Sequence, residues 1–279
     1  MVIIGATNYT ATAQYKHKKA HAKKVHLVQV VKEEDPDSNT STTNVVFPKI
    51  LCGNEEQSMA YIEKFSTNRR AYLIRTYNRS KYFFPKAISI LTKHHLPEEF
   101  TILLALESAF NANAISKAGA VGYWQIMDEV AKEYGLKYTP QIPLVEKKKQ
   151  KIKKIKKQIF KDDRKDFIKS TYAAARYLKD RSRNLNNDPL LVVASYNCGV
   201  GNVWNAMEKT GKNNPTFWDV KNYLPAETRS YVMNFITLNV IFKNYKRFTN
   251  NTLTFNSLKV EADVDEASLS EVTTLLHKN

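Results

Sequence analysis

A carboxylic acid set among hydrocarbon is the group in this chain best suited to chemistry. Glu107 follows the run Phe100-Thr101-Ile102-Leu103-Leu104-Ala105-Leu106, in which only Thr101 is polar. Burial disfavours the charged form of a carboxyl, raises its pKa, and lets it act as a general acid near neutral pH. A second reading fits the same residues: a carboxylate at a helix end that reaches water or an arginine. Further groups with hydrogen-bonding capacity lie downstream. Ser116 and Gln125 sit in the small-residue stretch Asn111 to Met127, whose Tyr123 and Trp124 offer flat apolar faces of the kind that pack on sugar rings. Trp124 fits equally as a core residue of a tight turn. Tyr196 and Asn197 stand before Gly199, where a turn can present a phenol and an amide to a neighbouring site, and a phenol bonded to a carboxylic acid would fix its orientation.

The elements that must position these groups read as helices. Leu96 to Phe110 reads as one apolar helix with Pro97 at its first position and Glu98 and Glu99 against the positive end of its dipole. Before it, Met59, Ile62 and Phe65 share a face of a helix that begins near Glu55. Phe83-Phe84-Pro85 is expected to break the chain, with a short helix over 86–95 carrying Ile88 and Leu91 inward. The glycines of 111–127 suit a loop or strand whose backbone approaches something closely. Residues 166–178 and 190–198 read as bundle helices, the second ending in a Gly-rich turn. Another helix opens at Leu224-Pro225, with Glu227 in its first turn and Tyr231 one turn on. The fold class is therefore mainly α.

The 279 residues suffice for one or two domains with a substantial core. Cys52 and Cys198 are far apart and show no metal-type spacing, and the adjacent His94 and His95 point to different helix faces, so neither a metal nor a cofactor is expected. The formal net charge of +16 calls for an anionic partner: nucleic acid, an anionic membrane surface or a cell-wall polymer with acidic stems. No run is long and apolar enough to span a bilayer. Residues 14–44 pass from a Lys/His patch to a polar stretch without a core-facing period and read as linker. Residues 146–161 are lysine-rich with Ile152, Ile155 and Ile159 at helical spacing, which fits either a solvated helix or an anion-binding arm. Ala11-Thr12-Ala13 before Gln14 has the form of a signal-peptide cleavage site; a start inside a longer signal peptide and coincidence in a short tail both fit. An intact Met1 in N-terminal sequencing of exported protein would sink the former.

Taken together, the stretches resemble the lytic transglycosylases of glycoside hydrolase family 23. Glu107-Ser108 matches the family's E-S, and Gly122-Tyr123-Trp124-Gln125-Ile126-Met127 its G-x-x-Q-I-M, with Ser116 between them. Ser195-Tyr196-Asn197-Cys198-Gly199 matches A-Y-N-x-G, and Glu227-Thr228-Arg229-Ser230-Tyr231 matches E-T-R-x-Y. The resemblance covers roughly 57–245 and includes a lead-in similar to the one preceding the catalytic domain in a membrane-bound branch of the family. It implies a goose-type lysozyme-like helical catalytic domain over 97–245 with the lysine-rich insertion 146–161, a helical lead-in over 55–96, a tail or linker over 1–54 and a C-terminal tail over 246–279. It implies an enzyme with Glu107 as sole general acid/base, cleaving between N-acetylmuramic acid and N-acetylglucosamine without water and closing a 1,6-anhydro ring. Ser108, Ser116, Gln125, Met127, Asn197, Glu227 and Tyr231 would bind substrate, and Tyr196 would orient Glu107 and the substrate's acetamido group. The implied partner is peptidoglycan with its anionic stem peptides, met by a monomer in the periplasm or cell envelope.

The chain also departs from the family. Asp128-Glu129 follows the I-M where Pro and a small residue are frequent, so a hydrolytic muramidase with Asp128 positioning a water is an alternative. Asn111-Ala112-Asn113 and Lys117 replace frequent prolines. The residues 268–276 suggest a short helix in a tail too short for a complete wall-binding repeat. A non-catalytic wall-binding scaffold is the other class to separate; a nucleic-acid binder is not expected, because the lysines lack interleaved aromatics or a known reader module.

Overall fold

The computed structural model describes residues 43–138 and 161–255. The lysine-rich stretch 146–161 (Lys161 apart), the N-terminal patch with its A-x-A and the C-terminal 268–276 therefore lie outside the described residues. The described part is helical: α1 (Glu55–Asn68), α2 (Arg70–Lys93), α3 (Leu103–Ser108), α4 (Asp128–Glu133), α5 (Phe167–Asn184), α6 (Pro189–Cys198), α7 (Val200–Lys209), α8 (Phe217–Val220), α9 (Ala226–Lys243) and α10 (Tyr245–Thr249).

Helix α9 is the axis. Every residue from Val232 to Ile241 is buried, and α1, α2, α3 and α6 all pack on it. A helix apolar around its whole circumference is stable only when surrounded. Its polar members are satisfied within: Asn234 accepts from the Tyr61 hydroxyl at 2.8 Å, and Thr237 and Asn239 bond carbonyls one turn back. On α1, Met59, Ile62 and Phe65 are buried as their spacing requires. Asp166 and Asp188 cap α5 and α6, each accepting from two backbone N–H groups of the first turn, with Pro189 in that turn of α6.

The expected break at Pro85 does not occur, because α2 runs through it to Lys93. An interior proline costs ~3 kcal/mol in a helix. Here the ring is on the exposed side, while side chains on both flanks are anchored. Phe83 stacks on Phe110 with centroids 5.1 Å apart, Phe84 meets Phe110 and Phe242, and Ala87, Ile90 and Leu91 are buried beyond. Packing on either side outweighs the missing N–H.

The single helix expected over 96–110 is also corrected. A 3₁₀ turn, Glu98–Ile102, leads into the short α3, which stops one residue after Glu107. Ala109 and Phe110 then adopt φ of 47° and 63°, in the left-handed region. Such residues cost of order 1–3 kcal/mol each and persist where surroundings fix them; Phe110 is fixed by the aromatic stack and by its N–H bond to the Leu104 carbonyl at 3.2 Å. Glu107 is thereby placed in a last helical turn.

The assigned domain edges shift. Phe47 and Leu51 are buried in the core, so 43–54 is docked chain and not linker. Asn44 and Val46 pair with Thr252, Thr254 and Asn244, and Phe248 of α10 is buried, so 246–255 is part of the same body. The lead-in helices share one core with the rest of the described residues.

Candidate active site

Glu107 lies in the last turn of α3, half-buried against α9. Its Oε1 accepts a hydrogen bond from the Tyr231 hydroxyl. Burial pushes its pKa from the ordinary 4.5 up to about 7; the Tyr231 bond pulls the other way, and the nearby Glu227 carboxylate adds to the rise. At neutral pH the group is thus poised between acid and base, the condition for a residue that gives a proton and later takes one.

The expectation that Tyr196 holds Glu107 is corrected. The Tyr196 hydroxyl donates to the Trp124 carbonyl at 2.7 Å, and the partner of the carboxyl is Tyr231. Tyr196 is nonetheless near. Burial first, then the Glu107 charge, raise its pKa well above the ordinary value, and Tyr177 meets its ring edge-on at 5.5 Å. Tyr231 is shifted the same way by burial and by Glu107. Both phenols therefore stay protonated and act as donors.

The stretch after α3 is a loop knotted by short pairings between Ile115 and Val121 and between Val121 and Ile126. Trp124 is fully buried and donates its indole N–H to Thr171 Oγ1 at 2.9 Å, so it is core, and its carbonyl serves Tyr196. Gln125 has φ 46° and donates to the carbonyls of Ala114 at 3.1 Å and Gly122 at 2.8 Å. Ser116 Oγ accepts from the Ala120 N–H at 3.0 Å. Met127 is half-buried at the start of α4. Ser108, expected to touch substrate, is 6% exposed, and its hydroxyl bonds the Tyr123 carbonyl at 2.8 Å; it ties α3 to the loop instead of facing outward.

Across the site, Asn197 Oδ1 accepts from Thr228 Oγ1 at 2.7 Å, joining the end of α6 to the start of α9. Glu227 is exposed in that first turn. The structure thus brings Glu107, Tyr231, Tyr196 and Glu227 into one electrostatic group, with the loop bearing Gln125 attached to it through Tyr196 and Ser108. Asp128, the candidate second carboxylate, is paired with Arg164.

Residues 87–217 match the family described as the transglycosylase SLT domain. The chain is also 35% identical over 159 residues to membrane-bound lytic murein transglycosylase D of Escherichia coli K12, an overlap of 56% of this chain and 30% of that protein. It therefore spans about three tenths of that relative's length. Among solved structures, an inactive mutant of the lytic transglycosylase Slt from Pseudomonas aeruginosa aligns over 63% of this chain and 26% of its own, with a TM-score of 0.42 and 20% identity. The SLT match begins inside α2 and ends at Phe217, before Tyr231, so the phenol that holds Glu107 lies beyond it.

One part of the site has no counterpart in the sequence reading. Arg164 is fully buried and bonds Asp162, Asp128 and the Ile126 carbonyl. Asp162-Asp163-Arg164-Lys165-Asp166 directly follows the lysine-rich tract and reads as more solvated charge. The one available signal was the switch from charge carried by lysine alone to a run of mixed sign.

Proposed function

We propose that this chain is a peptidoglycan lytic transglycosylase that cleaves the β-1,4 bond between N-acetylmuramic acid and N-acetylglucosamine. Glu107 protonates the glycosidic oxygen while the muramic N-acetyl group supports C1. The resulting carboxylate then takes the proton of the muramic acid 6-hydroxyl, whose oxygen bonds C1 and closes the 1,6-anhydro ring. The proton is returned and no water is consumed. The observation that carries this reading is a carboxyl whose pKa stands at about 7, held by a protonated phenol at the end of an apolar helix within an SLT domain.

Inverting hydrolysis needs a second carboxylate with a water between the two. Asp128, which the sequence offers for that role, is engaged by the Arg164 guanidinium, and this favours ring closure over the muramidase. Gln125, Ser116, Met127 and Asn197 line the sugar sites in this reading, Glu227 stands at their rim, and Ser108 acts through the loop. The charge of +16 suits the acidic stem peptides of peptidoglycan, and the place of action is the cell envelope. No helix among the described residues is long and apolar enough to cross a membrane.

The test is mass spectrometry of fragments released from purified peptidoglycan by the wild type and by Glu107→Gln. Anhydro-muropeptides that vanish in the variant are expected. Reducing-end products would establish the muramidase, and sacculus binding without products from either protein would establish a non-catalytic binder.

A further inference from the structure

The turn Asp162–Lys165 grips the loop 113–128 at four points. Lys165 Nζ donates to Asn113 Oδ1 at 3.3 Å. The Arg164 carbonyl lies so close to Gly122 that a β-carbon there would stand 2.1 Å from its oxygen. Arg164 Nη1 reaches the Ile126 carbonyl at 3.4 Å, and the same nitrogen pairs with Asp128. The turn is itself anchored on the far side. Asp162 accepts from the Arg164 backbone N–H and from its guanidinium, Asp163 accepts from the Lys137 N–H at 3.0 Å and from Lys169 at 2.7 Å, and the Tyr138 ring lies 4.9 Å from the Arg164 guanidinium carbon. Burial works against the charge of Arg164, but Asp162 and Asp128 outweigh it and hold the guanidinium charged.

We propose that Arg164, with Asp128 and the turn around it, is a positioning device for substrate binding: it fixes the loop that presents Ser116, Gln125 and Met127 to the sugars. This rests on the transglycosylase reading for its ligand and not for its mechanics. The loop is tied to α3 at Ser108, but the Glu107 carboxyl itself is held by Tyr231 of α9, so the latch acts on sugar recognition and leaves the titration of the acid in place. Asp128 is where the chain departs from the residues frequent in its family, and the departure is matched by a guanidinium.

The experiment compares the full chain with Asp128→Asn, whose side chain is 26% exposed and tolerates the change, with Asp128→Glu as the conservative variant and Arg164→Met as the severe one. For Asp128→Asn on a soluble glycan substrate, KM is expected to rise about tenfold with kcat within about twofold and the basic limb of the pH profile in place. Amide hydrogen exchange is expected to speed up within 113–127 and not in α9, and Asp128→Glu to recover both readouts. A lower melting temperature with unchanged KM and unchanged loop exchange would make the pair merely structural and overturn the proposal. A shifted basic limb would also overturn it, by showing that the latch works through Glu107. If the wild type releases no anhydro product while the loop exchange still responds, the function reading fails and the latch stands. Should Arg164→Met not fold, the two Asp128 variants decide.

Discussion

At the scale of single residues, the proposed mechanism depends on keeping one carboxyl protonated near neutrality. Tyr231 and Glu227 push the Glu107 pKa in opposite directions, so their variants move it oppositely. Tyr231→Phe removes a bond to the charged form and is expected to carry the basic limb of the pH–rate profile above about 7, with kcat reduced about tenfold as the carboxyl loses its aim. Glu227→Gln removes a like charge and is expected to carry the limb below about 7. Kinetics from pH 5 to 9 on both variants check the pair. The same pKa makes a stability prediction. A folded value of about 7 against an ordinary 4.5 means the native state binds more protons between those limits, so the stabilisation from the neutral group is full below pH 4.5 and gone above about 7. Glu107→Gln, neutral throughout, is expected to melt above the wild type at pH 8 and level with it at pH 4, in thermal denaturation followed by circular dichroism.

At the scale of elements, the loop between α3 and α4 is specified by close approach and by paired ends, and scarcely by its own hydrophobicity. Gly122 has φ 82° and packs against the Arg164 carbonyl. Gly122→Ala meets both a left-handed backbone and a backbone wall, and is expected to cost ~3 kcal/mol in urea unfolding with a loss of turnover out of proportion to the fraction unfolded. Helix α3 shows the complementary case. Its sequence is apolar enough for a longer helix, yet Ala109 and Phe110 turn left-handed because Phe110 has a place between Phe83 and Phe84 of α2. The helix ends where the core requires it to, and Glu107 gains its position from that stop.

At the scale of the molecule, the chain closes on itself. Residues 43–46 lie along 244–254, and Asn244 is the clasp: buried, it accepts from the Val46 N–H at 3.0 Å and donates to the carbonyls of Val46 at 2.7 Å and Val240 at 2.8 Å. Trp218 adds a bond to Asn54 Oδ1 at 2.6 Å, and Arg70 bonds the carbonyls at the end of α10. Asn244→Ala is expected to lower unfolding free energy by about 2 kcal/mol and to speed amide exchange at both ends of the described chain while leaving the Glu107 pH limb in place. These edges decide what a functional fragment must contain. A piece cut to the SLT match would lose α1, α9 and the phenol on Glu107.

The sequence by itself determined the helical class, the apolar setting of Glu107, the covered face of α1 and the ordered motifs. Each is a local matter of periodicity, capping and residue type, which short stretches of chain carry within themselves. The tertiary structure decided which phenol bonds Glu107, since Tyr196 and Tyr231 are equally capable donors and only the packing of α6 and α9 aims one at the carboxyl and the other at the Trp124 carbonyl. It decided that Pro85 lies within a helix, that Ser108 faces inward, and that Phe47 and Leu51 belong to the core, because contacts far along the chain outweigh local preference at each. It also turned the charged run 162–166 from apparent surface into a buried latch, since whether an arginine is solvated or enclosed depends on carboxylates and carbonyls brought to it from elsewhere.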